Sequence, residues 1–460
     1  MTTSNTKARE RKTHAWLAHE SSNCQPGRYA ATSILLFTSL YLYIYNTQFT
    51  ALGVGSSKIV AILTLTLAAL NPTCLRRLPL LKGEFAATAV LLTAISIAAF
   101  THGTAEAGAS YVEQSRVTAT WFVECILVPL LFVNIAKRHF LKARFETLFC
   151  LVACMAAALS ILLFMAPSLN DSAAEFLGDV GDGSDGYRID DRLIRGFGIA
   201  SGLRGDFAMT QALAAGTALY LSARHLKWTL AIPILAASAA VNARIALFAI
   251  PLALFVPGLP MRFRIGATTV AVLAIPVAAL LLVRTAESDG VFAPSASWIV
   301  SGGEQVIRAI QGDAPSTTAE ELFRESDFLP DSVREWALGT GKPSPPSRAG
   351  RVDNGYHYTL WYGGWIVLGA QIAVSLFMFG RMLRRASSPY LPVLFFLLLS
   401  AFNVKWSYLC APNSMTRAIG IFYAATLLFP NRGILPVHRQ SIAPQARVAD
   451  TAVDRLFSAG

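Results

Sequence analysis

Long apolar runs separated by short polar segments dominate the chain, and this pattern predicts an all-α polytopic membrane protein. A helix needs about 20 mostly apolar residues to cross the hydrocarbon core of a bilayer. About twelve transmembrane helices are predicted on this basis, near residues 29–49, 58–74, 84–101, 118–136, 145–166, 205–223, 228–241, 245–257, 265–283, 357–380, 390–409 and 417–430. The transmembrane domain is thus predicted over 29–430, between an N-terminal tail over 1–28 and a C-terminal tail over 431–460.

The seventh and eighth runs are too short to cross comfortably, and together they could form one long span over 228–257. Basic residues decide between these alternatives, since Arg224 lies before the pair and Arg262 lies after it. If both are cytoplasmic, an even number of crossings separates them. The charge pattern therefore favours two short helices.

Basic and acidic residues fall in different loops, which predicts the orientation of the chain. Short loops such as 75–83, 136–144 and 381–389 are basic, whereas the acids collect in two long loops near 167–204 and 284–356. By the positive-inside rule, both termini are cytoplasmic and both long loops are extracytoplasmic. The net charge of +11 is explained by this topology, so nucleic acid is not expected as a partner.

Composition supports the membrane assignment and limits the chemistry. The chain is 54% hydrophobic and 15% charged, more apolar than a soluble domain of this length. Its six cysteines contain no CxxC pair, so neither a disulfide framework nor a thiolate metal site is expected. The extracytoplasmic loops carry no DxD motif, and the acidic run around Asp182 does not fit an EF-hand, so no metal and no cofactor are predicted.

The second long loop leads into a polar cluster at the start of an apolar helix, within residues 339–369. Asp353 and His357 are four residues apart, so both would lie on the same side of a helical N-terminus. Either side chain could accept a proton from a sugar hydroxyl as a general base, whereas Asp353 could equally cap the helix. Asn354 and Tyr356 are candidate glycan contacts, although tyrosine and tryptophan side chains here are also typical of a membrane interface.

Arginines supply the candidate anion site. Arg188, Arg192 and Arg195 recur at helical spacing in the first long loop, where they could clamp a diphosphate or be neutralised by neighbouring aspartates. Arg244 lies in an apolar hairpin at the turn of the two short helices, where an ionisable group usually lines a cavity or pairs with a ligand. Arg204 and Arg351 complete the predicted diphosphate-binding set. Glu124, inside the fourth predicted span with no obvious partner, is a weaker cavity candidate.

Several of these segments resemble the O-antigen ligase/polymerase superfamily. The similarity is carried by Arg195-Gly-Phe-Gly, by Asn242-Ala-Arg244, and by the run from Gly339 through Asp353-Asn-Gly-Tyr to Gly369. Ala243 stands where that family usually has Ser. Over the rest of the chain the resemblance rests on hydropathy only.

The resemblance implies metal-independent, inverting glycosyl transfer at the periplasmic face of the bacterial inner membrane. The donor would be a polyprenyl-diphosphate-linked oligosaccharide, with Arg195 and Arg244 on its diphosphate. Asp353 occupies the position where ligases carry His, which favours a repeat-unit polymerase of O-antigen or exopolysaccharide and leaves the general base open between Asp353 and His357. A second lipid-linked glycan would then be the acceptor, and a chain-length regulator is a candidate partner besides membrane lipids.

Two alternatives are kept. One is an O-antigen ligase, which would transfer the glycan to lipid A-core. The other is a polytopic transporter, which would show ionisable residues at mid-membrane depth and broken helices in both halves.

Overall fold

The computed structural model describes residues 26–49, 54–102, 105–142, 144–166, 204–242, 249–261, 263–268, 332–341, 355–404 and 409–430, with a few isolated positions between them. Within these residues the chain is helical almost throughout. In chain order the helices are α1 (Pro26–Tyr45), α2 (Ser56–Leu70), α3 (Pro72–Leu75), α4 (Lys82–His102), α5 (Ala105–Phe122), α6 (Val128–Ile135), α7 (Lys137–Lys142), α8 (Phe145–Met165), α9 (Arg204–Ser222), α10 (Ala231–Asn242), α11 (Ala249–Phe255), α12 (Val333–Leu338), α13 (Gly355–Arg385), α14 (Tyr390–Phe402) and α15 (Ser414–Leu428).

Shorter elements join these helices. Leu78–Leu81 and Leu226–Leu230 are 3₁₀ helices, and the π-helix Val123–Leu127 connects α5 to α6. Strands β1 (Gln48–Phe49) and β2 (Val54–Gly55) form an antiparallel pair, with Gln48 opposite Gly55.

Among the described residues, four segments are long and apolar enough to cross a membrane, namely Pro72–His102, Tyr111–Ile135, Phe145–Leu163 and Gly355–Arg385. This confirms the prediction of an α-helical membrane protein, while the predicted number of about twelve crossings stays a prediction. The apolar helices α2, α14 and α15 are shorter than a full crossing. Large side chains such as Ile34, Leu70 and Phe100 are exposed, as expected for surfaces that face lipid.

Several helix ends differ from the ends of the predicted spans. Helix α1 begins at Pro26, inside the tail predicted over 1–28, because Pro is well tolerated in the first turn of a helix. The span predicted over 390–409 ends as a helix at Phe402. Helix α15 begins at Ser414 because Asn413 and Thr416 form a capping box, a local signal that an apolar run does not reveal. The tail over 431–460 lies outside the described residues.

The described part of 228–257 contains two helices, α10 and α11, in agreement with the charge argument. Helix α10 packs against α9, which also contacts α11, so this pair is attached to the core of the bundle.

Contacts define two opposite ends of the bundle. At one end, the Arg381 guanidinium donates to the carbonyl of Leu80, and Arg385 donates to the carbonyl of Leu427. We call it the basic end, because Arg76, Arg77, Lys82, Arg384 and Arg385 lie there. At the other end, Arg334 donates to the Thr101 carbonyl at 2.7 Å, which fixes α12 to the end of α4.

Candidate functional site

Backbone from the second long loop crosses α13 at a point where that helix is broken. Gly364 has φ 63 and ψ −169, which is not helical. The Thr340 amide donates to the Trp361 carbonyl at 2.6 Å, and the Gly341 amide donates to the Tyr362 carbonyl at 3.2 Å. We call the contact of 339–341 with 361–364 the glycine crossing.

Only glycine fits at the centre of this crossing. A Cβ on Gly339 would lie 2.3 Å from the Tyr362 carbonyl oxygen, and a Cβ on Gly364 would lie 2.4 Å from the Ala337 oxygen. Both residues also have positive φ, a region that L-residues with side chains rarely adopt. The glycines at these positions therefore allow two backbones to touch.

Side chains from α4 and α5 hold the crossing in place. His102 Nε2 lies 2.8 Å from the Gly339 oxygen. The Tyr111 hydroxyl donates to the Tyr362 carbonyl at 3.0 Å and lies 3.2 Å from His102 Nδ1. Buried carbonyls need such partners, so the end of the second long loop is fixed to the bundle.

The break divides α13 into a short arm, residues 355–363, and a long arm, residues 365–385. Thr359 Oγ1 and Gln371 Oε1 are 3.5 Å apart although the residues are separated by twelve positions. In a straight helix that separation would place them about 18 Å apart along the axis. The short arm therefore folds back beside the long arm, which corrects the prediction of a continuous helical span over 357–380.

Because of this fold-back, the start of the short arm is buried within the bundle. The Gly355 amide donates to the Asn403 carbonyl at 2.9 Å, and the Tyr356 hydroxyl donates to the Ser400 carbonyl at 2.8 Å. Asn403 is itself 1% exposed, and its side-chain oxygen accepts the Leu409 amide at 3.0 Å. The polar start of α13 thus faces the end of α14.

Two further helices, α9 and α15, begin next to each other. The Asp206 carboxylate, in the first turn of α9, accepts the Ser414 amide at 2.8 Å and caps α15. Leu409 and Cys410, which precede α15, are buried. The peptide dipoles at the N-termini of α9 and α15 favour negative charge nearby.

Most residues of the predicted site lie outside the described residues, namely Asp353, Asn354, Arg192, Arg195, Arg244 and Arg351. Tyr356 and His357 are described, and they lie in the first turn of the short arm. Arg204 is the first residue of α9, and only its backbone is described. The structure therefore brings Tyr356 and His357 together at the start of the short arm.

A buried ion pair near this region was missed from the sequence. The Arg417 guanidinium contacts Glu124 Oε2 at 3.0 Å through both Nε and a terminal nitrogen, and both residues are at most 6% exposed. Glu124 lies in the π-helix, an irregularity that is frequent at functional sites. Glu124 thus has a partner, contrary to expectation. The sequence did not reveal this partner because Arg417 is distant in sequence.

A second buried carboxylate is found at the basic end. Glu84 is 2% exposed and contacts both the Arg381 guanidinium and the Tyr423 hydroxyl. This cluster joins α4, α13 and α15 at the end opposite to the glycine crossing. Among the described residues there is no group of three His, Cys, Asp or Glu side chains arranged to hold a metal ion.

Comparison of the chain with protein-family models, with curated proteins and with solved structures yields no match.

Proposed function

We propose that the protein is a membrane glycosyltransferase that polymerises polyprenyl-diphosphate-linked oligosaccharide repeat units of O-antigen or exopolysaccharide. One observation carries the proposal. The segment 342–354, which contains Arg351, Asp353 and Asn354, is anchored at Gly341 on the glycine crossing and at Gly355 beside Asn403. A polar loop held at both ends on a rigid helical scaffold is a common arrangement for catalytic residues.

The proposed reaction is the one that the resemblance to the O-antigen ligase/polymerase superfamily implies, with the predicted residues in its roles. An acceptor sugar hydroxyl attacks the anomeric carbon of the donor, a new C–O bond forms, and the bond to the polyprenyl diphosphate breaks with inversion. The hydroxyl proton passes to Asp353 or to His357, the two candidate general bases. Arg195 and Arg244, with Arg192, Arg204 and Arg351 as further contacts, stabilise the charge on the departing diphosphate.

The adjacent N-termini of α9 and α15 support this assignment. An anionic diphosphate is favoured beside the positive ends of helix dipoles, and Arg204 is the first residue of α9.

The proposed orientation places the glycine crossing on the periplasmic side of the bacterial inner membrane, with both termini in the cytoplasm. This orientation is supported by the charge distribution along the bundle. Arginines and lysines collect at the basic end, whereas the long loops join helices at the other end. Partners on the periplasmic side are the lipid-linked donor and acceptor glycans and a chain-length regulator.

A transporter is the second candidate function, and the broken helix favours it. Transporters often bind substrate at discontinuous helices near the middle of the membrane, and the Arg417–Glu124 pair supplies buried ionisable groups. Among the described helices, however, a break of this kind is found in α13 alone. The polar segment 342–354, whose two flanking residues are anchored to the helices, fits catalysis better than passage of a solute.

The arginine clamp can be tested in cells that depend on this protein for long-chain polysaccharide. Arg244→Ala should abolish chain growth while the protein is still made and inserted, because the leaving diphosphate loses a cationic partner. The readout is the ladder of glycan lengths on a gel, together with the amount of protein in the membrane.

Arg116→Ala is the matched control, since Arg116 is exposed on α5 and pairs only with Glu113 within the described residues. It should leave the ladder unchanged. Chains of normal length in the Arg244→Ala strain would overturn the clamp.

A further inference from the structure

Tryptophan side chains form an exposed face beside the glycine crossing. The rings of Trp336 on α12 and Trp365 on the long arm are stacked, with centroids 6.5 Å apart and planes inclined by 19°. Trp365 is 53% exposed, and Val333, one turn from Trp336, is 89% exposed. We call Val333, Trp336 and Trp365 the tryptophan face.

This face continues an apolar surface that runs along the long arm. Leu376 is 52% exposed and Leu383 is 46% exposed, and both lie between Trp365 and the two arginines that end the helix. Trp365 and Arg384 are about 28 Å apart along the axis at the usual helical rise. The hydrocarbon core of a bilayer is about 30 Å thick. The apolar surface thus has the length of that core, with tryptophan at one limit and arginine at the other.

Residues of the neighbouring helices α4 and α12 place the edge of the hydrocarbon core at the same level as Trp365 does. Helix α4 ends at His102, and Phe100, which is 90% exposed, lies in its last turn. Arg334 on α12 donates to the Thr101 carbonyl, so α12 lies at the end of this second span. Tryptophan is enriched at the level of lipid headgroups, because its ring is apolar and its N–H is polar.

We propose that the tryptophan face lies in the lipid headgroup region of the bilayer, at the surface opposite to Arg384 and Arg385. The partner is the lipid surface itself. Helix α12 then fastens the end of the second long loop to the membrane at the point where the loop crosses α13.

The depth of the short arm follows from this position. The short arm extends from Gly364 back into the bundle, and its first residue, Gly355, lies about 13.5 Å from the break at 1.5 Å per residue. Gly355 and Asn403 are then well below the headgroup level, and the short arm is re-entrant. Irregular backbone at such depth is tolerated where protein buries it, as is seen for Asn403 and Cys410.

Nitroxide labels on single introduced cysteines can test this in vesicles of phosphatidylethanolamine and phosphatidylglycerol. Val333→Cys reports the tryptophan face, Leu376→Cys reports the middle of the long arm, and Arg76→Cys, exposed at the basic end, reports water. The unsubstituted chain, labelled in parallel, gives the background from its own six cysteines. Collisions with oxygen, which concentrates in lipid, and with a water-soluble nickel chelate give the depth of each label.

The ratio of oxygen to nickel collisions at Val333 should lie between the high ratio at Leu376 and the low ratio at Arg76. A ratio at Val333 equal to that at Arg76 would place the face in water and overturn the proposal. Protection of Val333 from both reagents would show a covering protein or a second copy, and it would also overturn the proposal. The collision ratios do not depend on glycosyl transfer, so this experiment tests the position of the tryptophan face independently of the proposed reaction.

Discussion

Replacing Gly364 by alanine should destabilise the protein and abolish its activity. Gly364 has φ 63 and ψ −169, a conformation that is almost restricted to glycine and costs other residues about 1–3 kcal/mol. The new Cβ would also lie 2.4 Å from the Ala337 oxygen, a rigid backbone atom. Either the fold-back of the short arm is lost or the glycine crossing opens, and both move Gly355 and the residues before it. The thermal unfolding midpoint in detergent and the glycan ladder in cells would be measured on the same variant.

Gly369→Ala is the matched control on the same helix. A Cβ there meets no atom within 4 Å, and alanine is the better helix former by about 1 kcal/mol. This variant should be as stable as the wild type or slightly more so. Equal stability of the Gly364 and Gly369 variants would show that the break does not hold the structure together.

Replacing Arg417 by alanine should have a similarly large effect on stability. Arg417 and Glu124 are buried and in contact, so removal of the guanidinium leaves an uncompensated carboxylate inside the bundle. Breaking a buried pair in this way typically costs about 3–5 kcal/mol. The midpoint of unfolding in detergent should fall accordingly.

The double variant Glu124→Gln with Arg417→Met separates the missing charge from lost packing. Replacement of both partners by uncharged groups is often nearly neutral, so it should recover much of the stability lost in Arg417→Ala. The exposed pair of Arg116 and Glu113 is the control, and Arg116→Ala should leave the midpoint of unfolding almost unchanged, because water screens an exposed ion pair. If Arg417→Ala cost no more than Arg116→Ala, the buried pair would contribute nothing to the fold.

Apolar run length was enough to predict the class of fold and the approximate position of most described helices. Local periodicity and composition determine which segments can lie in lipid, and helices such as α4 and α8 satisfy them along their whole length. Charge counting favoured two helices over 228–257, and the structure has α10 and α11 there. That each of them crosses the membrane stays a prediction.

The break in α13 could not be predicted in the same way. The sequence around Gly363-Gly364 is apolar and fits a continuous helix, and a glycine inside a helix is tolerated at a cost of about 1 kcal/mol. What fixes the break is the contact of Gly364 with Ala337 and Gly339, which lie in a different element. The adjacent glycines were the one available signal.

The candidate site was predicted only in part for a related reason. Asn403, Asp206 and Arg417 have partners far away in sequence, and no periodicity connects those pairs. The stretch 339–369 was singled out for its polar cluster, of which His357 alone lies within the described residues. The roles of Asp353 and of the arginines stay predictions.

We propose that this protein joins lipid-linked repeat units without a metal ion. The direct test is a reaction of purified protein in detergent with a polyprenyl-diphosphate-linked repeat unit and EDTA, resolved on a gel. We expect a ladder of products that is lost in Arg244→Ala and retained in Arg116→Ala. Transfer only after a lipid A-core acceptor is added would indicate a ligase. No product with either acceptor, from protein that unfolds at the wild-type midpoint, would contradict glycosyl transfer and favour the transporter.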